Sequence, residues 1–146
     1  MAQNSEMKFQ IRGVEIINLE LVQLAEILPN EVVFNFDISI EHKINSENKF
    51  ILVLVGVNIT HNNKETLLGK IIVSCVYAIE NFEEVVQESK PQSFTITDAI
   101  IDILNSISIS TTRGVMASTF KGTFLHNAVL PIVNPKDFQK QKLPME

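Results

Sequence analysis

The alternation of apolar and polar residues in the first half of the chain is the feature that most constrains its fold. From Phe34 to Glu41, aromatic or aliphatic residues occupy every second position, with polar residues between them. Successive side chains of a β-strand point to opposite faces, so this pattern predicts an antiparallel strand with one buried and one wet face. Residues 50–60 and 66–79 carry apolar residues in both phases, which predicts two further strands covered on both faces.

The first strand is predicted to be long and to contain a bulge. Phe9 and Ile11, and then Val14 and Ile16, alternate with polar neighbours. After Ile16 the phase slips, and the apolar residues are Ile17, Leu19 and Leu21 instead. A shift of one residue turns the core face outward unless the strand bulges, so we expect an irregularity between Gly13 and Ile17. Segments rich in turn residues are predicted to end the first, second and third strands: Leu28-Pro29-Asn30, 45–48 and 61–64.

The second half of the chain is predicted to be helical. Apolar residues recur at spacings of three and four between residues 100 and 111, and Thr95 or Thr97 can cap the first turn. Asp98, three residues after Thr95, would complete a weak capping box. The segment is rich in Ile and Thr, which are mediocre helix formers, and part of it alternates as a strand would, but the helical spacing is the better match. We predict a long helix that ends at Lys121-Gly122.

Two connections flank this predicted helix. Residues 81–93 are acidic, contain Lys90-Pro91 and are predicted to be turn-like. Asn134-Pro135 predicts a short final helix, because Asn can cap it and Pro suits the first helical position, and Pro144 ends it. The predicted fold class is therefore α+β. It comprises a four-stranded antiparallel sheet, a long helix in the C-terminal half and a short final helix, in a single domain over residues 1–146.

Composition excludes several classes of protein. The net charge of −5 argues against a nucleic-acid partner, which requires clustered Lys and Arg. No apolar run approaches the roughly 18 residues of a membrane span, and the N-terminus lacks the basic and apolar regions of a secretion signal. Cys75 is the only cysteine, so no intrachain disulfide can form. These observations predict a cytoplasmic protein.

No motif for catalysis or for metal binding is apparent in the sequence. His42, His61 and His126 have no His or Cys partner at the spacing of metal ligands, and Cys75 lies in an apolar strand, where a small buried side chain is the usual role. The acidic pair Asp98 and Asp102 is better explained by a solvated face than by acid–base chemistry. Gly-rich phosphate loops and nucleophile elbows are absent. We expect no metal, no cofactor and no enzymatic activity.

The segment Lys121–Asn134 has the turn residues of a loop but an apolar composition. Loops normally run over the surface and are polar, so this one must pack against the protein or bind something apolar. The helix before it carries an apolar stripe that is too apolar for a wet surface. Burial in an oligomer and an exposed groove for extended chains both explain this surplus, and they are compatible. The stripe predicts an oligomer interface at Ile100, Ile103, Leu104 and Ile107.

Three blocks of the sequence resemble the SecB family of export chaperones. Met7-Lys8-Phe9-Gln10-Ile11 is similar to the family's Phe-Gln-Ile opening, and Lys121-Gly122-Thr123-Phe124 resembles Arg/Thr-Gly-x-Phe. Leu130-Pro131-Ile132-Val133-Asn134 looks like the family's Ala-Pro-Val-Asn. The resemblance implies a SecB-like sheet with two helices, assembly into homodimers or homotetramers, and a groove that holds unfolded polypeptide. The implied client-binding residues are Phe120, Phe124, Leu125, Val129, Leu130 and Phe138.

The chain departs from the family pattern at several positions. Leu125-His126 stands where the family usually has Pro after Phe, and Pro135 stands where it usually has Phe. The helix motif Phe-Pro-Tyr-Ala-Arg-Glu is absent, and Thr112-Arg113-Gly114 follows polar and apolar residues instead. The resemblance also implies contact with the export motor SecA through a long C-terminal tail, whereas residues 139–146 form a short, basic end.

Three functions follow from these observations. The first is a cytoplasmic, ATP-independent holdase that binds unfolded polypeptides or preproteins. The second is a SecB-shaped adaptor dedicated to one partner, such as an antitoxin-associated chaperone. The third, an enzyme, has no supporting constellation of residues.

Overall fold

The computed structural model describes residues 8–22, 33–61, 66–91 and 93–138. The predicted end of the first segment at Leu28-Pro29-Asn30 lies outside the described residues. Most of the turn at 61–64 and the predicted helix end at Pro144 also lie outside them.

Four antiparallel strands form the main sheet, as the alternation of residues predicts. They are β1 (Phe9–Leu21), β2 (Phe34–Asn45), β3 (Phe50–His61) and β4 (Thr66–Ile79). Their order is β1-β4-β3-β2, so the strands with apolar residues in both phases, β3 and β4, occupy the centre. The edges are β1 and β2. The predicted four-stranded antiparallel sheet is therefore confirmed.

Two irregularities interrupt the pairing of β1 with β4. The register shifts between Ile11 and Gly13 and again between Ile16 and Asn18, so the predicted bulge is confirmed and is double. Because the shifts absorb the change of phase, apolar residues from both phases pair with the buried residues of β4 and share their face of the sheet. We call these residues the β1 row: Ile11, Val14, Ile16, Leu19 and Leu21.

The connection at residues 81–93 is more ordered than the sequence predicts. It forms a short helix α1 (Phe82–Val85) and then a hairpin of β5 (Val86–Lys90) and β6 (Ser93–Ile96). The predicted turn-like segment is therefore corrected. Its apolar residues Phe82, Val85 and Val86 are buried, and this anchoring was hidden in the sequence by the acidic residues around them.

The long helix α2 spans Asp98–Thr119 and confirms the helical alternative for this segment. Thr97 is its N-cap residue but makes no side-chain capping hydrogen bond. The predicted capping box is wrong, because Thr95 lies in β6 opposite Gln87. Gly122 has φ +82°, the left-handed conformation expected just after a helix. The predicted final helix is a single 3-10 turn, Pro135–Phe138.

The core lies between α2 and one face of the sheet, which we call the helix-side face. Buried residues of α2, Leu104, Ile109 and Met116, belong to the same cluster as every second residue of β3 from Ile51 to Ile59. On the opposite face, the intervening residues of β3 are mostly half-buried. Within the described residues, one chain therefore covers the central strands on a single face, although the sequence predicts cover on both.

The segment after α2 closes one end of this core through Gly69 of β4. A Cβ added to Gly69 would lie 2.7 Å from Leu125 Cδ1 and 3.1 Å from the carbonyl oxygen of Glu20. It would also lie 3.9 Å from Leu21 Cδ2. Glycine is therefore required for the close approach of Leu125, and the segment reaches the end of the β1 row.

We expect Gly69→Ala to destabilise the protein by about 1–3 kcal/mol, because the extra methyl group overpacks the core against backbone that cannot move. Gly114→Ala on α2 is the matched control, since nothing lies within 4 Å of its added Cβ. This second change should stabilise the protein by about 0.5–1 kcal/mol through helix propensity. Chemical denaturation measures the free energy of unfolding of both variants relative to wild type. Equal values for the two variants would contradict the packing described.

Candidate functional site

The apolar segment after α2 divides its side chains between the core and the surface. Phe120, Leu125 and Leu130 are fully or almost fully buried. Three others point outward: Phe124 is 37% exposed, Val129 61% and Ile132 92%. Phe120, Leu125 and Leu130, which the sequence predicts to bind clients, therefore lie in the core of this chain. Ile132, the most exposed of these residues, was not predicted.

A tight turn built on Thr123 sets this division. The Thr123 hydroxyl donates to the Phe120 carbonyl oxygen at 2.7 Å and accepts from the backbone N–H of Leu125 at 3.1 Å. The Thr123 carbonyl oxygen accepts from the backbone N–H of His126 at 3.1 Å and from its ring Nδ1 at 2.8 Å. The turn directs Leu125 inward while Phe124 remains partly exposed.

Arg113 of α2 holds the next part of the segment. Its Nε donates to the carbonyl oxygen of Leu130 at 2.8 Å, and its Nη2 donates to that of Pro131 at 2.9 Å. These bonds link the middle of the helix to backbone that is 17 and 18 residues further along the chain. Nothing in the sequence indicates this role for Arg113. It lies in the stretch Thr112-Arg113-Gly114, which departs from the family pattern.

The β1 row is a second exposed apolar surface. All five of its residues are exposed although they share a face with the core, and Ile17 in the bulge is exposed as well. The reason is that β1 lies at the edge of the sheet, whereas α2 packs on the central strands β3 and β4. The sequence revealed the change of phase in this strand but not the exposure of its apolar residues.

The predicted oligomer stripe on α2 is only partly on the surface. Ile103 is 46% exposed, and Ile100 and Ile107 are half-buried and pack against the core. Leu104, also predicted to lie at the interface, is fully buried, and its side chain belongs to the core of its own chain. Phe138, predicted to bind clients, is half-buried against the core.

A buried polar seam joins α2 to the sheet. His42 Nε2 donates to Asn105 Oδ1 at 2.7 Å, and the hydroxyl groups of Tyr77 and Ser108 lie 2.7 Å apart. Burial lowers the pKa of His42, and the hydrogen bond to Asn105 opposes this only in part. Burial also raises the pKa of Tyr77. These groups link α2 to β2 and β4, because each must find its partner away from water.

Metal binding finds no support in this seam or elsewhere in the described ranges. No three His, Cys, Asp or Glu residues there are grouped closely enough to hold a metal ion. Cys75 is buried, and burial raises the pKa of its thiol, which disfavours the thiolate needed by a nucleophile or a metal ligand. Of the helices described, none is long and apolar enough to cross a membrane.

We expect acid to weaken the fold through His42. Its pKa is lowered in the folded state, so the unfolded chain takes up the proton first, near the ordinary value of 6.5. The stability contributed by neutral His42 is therefore complete above that pH and is lost as the pH falls through it.

Thermal unfolding of wild type and His42→Gln between pH 7.5 and pH 5 measures this effect. Gln keeps an N–H donor for Asn105 but does not titrate, so His42→Gln should lose less stability on acidification than wild type. His126→Gln is the control for the loss of an exposed histidine. Its curve is referred to its own stability at pH 7.5, because the substitution also removes the ring's hydrogen bond to the Thr123 carbonyl. Parallel curves for wild type and His42→Gln would contradict the role of the buried imidazole.

Comparison with known proteins supports a fold assignment. No protein-family model and no curated protein matches the sequence. Among solved structures, the fold is similar to that of the Mycobacterium tuberculosis Rv1957 SecB-like chaperone, solved in complex with a ChAD peptide from the Rv1956 HigA1 antitoxin. The TM-score is 0.63 with 10% sequence identity, over 86% of this chain and 89% of the other. The chain therefore has the SecB-like fold, and the resemblance seen in the sequence is confirmed at that level.

Proposed function

We propose that this protein is an ATP-independent chaperone that holds apolar segments of unfolded polypeptides. The observation that carries the proposal is the outward orientation of Phe124, Val129 and Ile132 on a segment whose other apolar residues are packed down. Apolar surface removed from water contributes ~25 cal/mol per Å² before the cost of ordering the client. A backbone fixed by hydrogen bonds keeps these side chains from folding back into the core.

The SecB-like fold suggests which class of ligand this exposed surface binds. The Rv1957 chaperone, which shares the fold, was solved with a peptide from an antitoxin. By analogy of fold, a polypeptide is the class of ligand that suits the exposed segment. We further propose a cytoplasmic location and no enzymatic role.

A dedicated adaptor is the second candidate, and the antitoxin peptide bound to Rv1957 is the observation that favours it. A general holdase should suppress the aggregation of several unrelated unfolded proteins. An adaptor should protect one partner and leave the others to aggregate.

We propose that the protein assembles into a homodimer or homotetramer through its uncovered apolar surfaces. β1 is an edge strand, and an exposed apolar edge favours pairing with another strand. A second copy is the proposed partner of the β1 row, and Ile103, with its half-buried neighbours Ile100 and Ile107, would meet another helix.

We expect Ile16→Asp and Ile103→Asp each to lower the oligomer mass while the subunit stays folded, because both side chains are exposed in the single chain. Leu104→Asp is the contrast, since this fully buried position should not tolerate a charge and the subunit should unfold. Light scattering and circular dichroism measure mass and folding. A wild-type chain that is monomeric at micromolar concentration would refute the assembly.

Client binding is tested with Val129→Ser and Ile132→Ser, the two most exposed apolar positions of the segment. Each should change the free energy of unfolding by only about 0.5 kcal/mol, as surface changes do, and should clearly weaken client binding. Leu125→Ser is the matched control, because loss of this buried side chain should cost about 2–5 kcal/mol of stability.

The measurements are suppression of aggregation of a reduced, unfolded protein, and the affinity for an uncharged, labelled synthetic peptide in which Leu and Phe alternate with Ser. Oligomer mass and unfolding are measured in parallel. The proposal is lost if Val129→Ser and Ile132→Ser remain folded and oligomeric and still hold clients as wild type does.

A further inference from the structure

The outward segment around Val129 and Ile132 has little hydrogen bonding of its own. Among the described residues, no backbone-to-backbone hydrogen bond involves residues 130–133. The nearest such bonds on either side are Val129 N–H to the Asn127 carbonyl and Asp137 N–H to the Asn134 carbonyl. A stretch with so few internal bonds depends on outside groups to fix its conformation.

Arg113 supplies that outside support through the edge of its guanidinium formed by Nε and Nη2. Bonds of 2.8 Å and 2.9 Å hold two consecutive carbonyl oxygens, those of Leu130 and Pro131. Hydrogen bonds from an ionised donor are stronger than neutral ones, and a planar fork fixes direction as well as distance. A lysine offers one ammonium at a point and cannot reproduce this fork.

The two carbonyls lie between the two most exposed apolar side chains of the segment. Leu130 is buried beneath the backbone, while Val129 precedes it and Ile132 follows Pro131. Holding the Leu130 and Pro131 carbonyls therefore fixes the direction in which both outward side chains point. A ligand surface ordered before binding does not lose that conformational freedom when the ligand arrives.

We propose that Arg113 is a positioning residue for client binding, which presents Val129 and Ile132 as one preordered apolar surface. The proposal rests on the proposed chaperone function. It assigns to α2 a part in client affinity that does not require Arg113 to touch the client.

Three variants test the role of the fork. Arg113→Met keeps a long stem without donors, and Arg113→Lys keeps the charge without the fork. Lys121→Met, at an exposed position, is the control for loss of one positive charge. The probe is the uncharged, labelled Leu/Phe/Ser peptide, so that the charge of the protein has little direct effect on binding.

We expect Arg113→Met and Arg113→Lys to weaken binding of this peptide by about tenfold while the subunits remain folded and oligomeric. Without the fork, the segment that carries Val129 and Ile132 would lose conformational entropy when the peptide binds. Lys121→Met should bind as wild type. Hydrogen exchange of the backbone amides at residues 128–133 should accelerate in both Arg113 variants and not in Lys121→Met.

A double-mutant cycle separates positioning from general stability. If Arg113 acts through Val129 and Ile132, adding Arg113→Met to Ile132→Ser should weaken binding much less than it does in wild type. If Arg113 only stabilised the fold, Arg113→Met would lower the free energy of unfolding, and its loss of peptide affinity would add to that of Ile132→Ser. Additive losses, wild-type affinity of both Arg113 variants, or rescue by Arg113→Lys would overturn the proposal.

The failure of this inference is distinguishable from failure of the proposed function. If Ile132→Ser and Val129→Ser weaken peptide binding and the Arg113 variants do not, only the positioning role is overturned. If wild type does not bind the peptide, both proposals fall. Should Arg113→Met not fold, Arg113→Lys carries the same comparison, since it keeps the charge and most of the stem.

Discussion

The rest of this structure depends on one constraint: a single helix is narrower than a sheet of four strands. A helix with its side chains is about 10 Å across, and strands lie ~4.8 Å apart, so a single helix covers the centre of a four-stranded sheet but not all of it. Here α2 packs on β3 and β4, and buried residues of the segment after it, among them Leu125 at Gly69, extend the same core. The β1 row shares the covered face yet remains exposed.

Two of the exposed apolar surfaces described above, the β1 row and the segment after α2, have different geometries. The β1 row lies on an edge strand, which suits a second copy offering the same edge. Val129 and Ile132 lie on an irregular segment with no ladder to extend, which suits side-chain contact with varied clients. Separate variants of Ile16 and Val129 can therefore distinguish assembly from holding, although both replace apolar residues that the same chain exposes.

The polar seam complements this apolar packing by fixing where α2 lies. Apolar contacts are non-directional and would tolerate a shift of the helix along the sheet. The hydrogen bond from His42 to Asn105 is directional and forms only when helix and sheet are correctly aligned. Asn105 Nδ2 already lacks a partner among the described residues. A displaced helix would leave further buried groups unpaired, at a cost of about 1–3 kcal/mol each. Arg113, which donates to the Leu130 carbonyl, lies about two turns further along the same helix than Asn105.

The sequence by itself determined the strands, the irregularity of β1 and the long helix, because alternation and helical spacing are local patterns that burial imposes directly. It also marked the segment at 121–134 as unusual by its composition. Only the tertiary structure decided which of those side chains face outward. The apolar residues of this segment have no regular spacing, so their order in the sequence does not indicate which of them face the core. The space at Gly69 admits Leu125 into the core, and the bonds from Arg113 hold the Leu130 and Pro131 carbonyls in the backbone that carries Ile132. Both causes are contacts between residues distant in the chain, and no pattern of neighbouring residues encodes them.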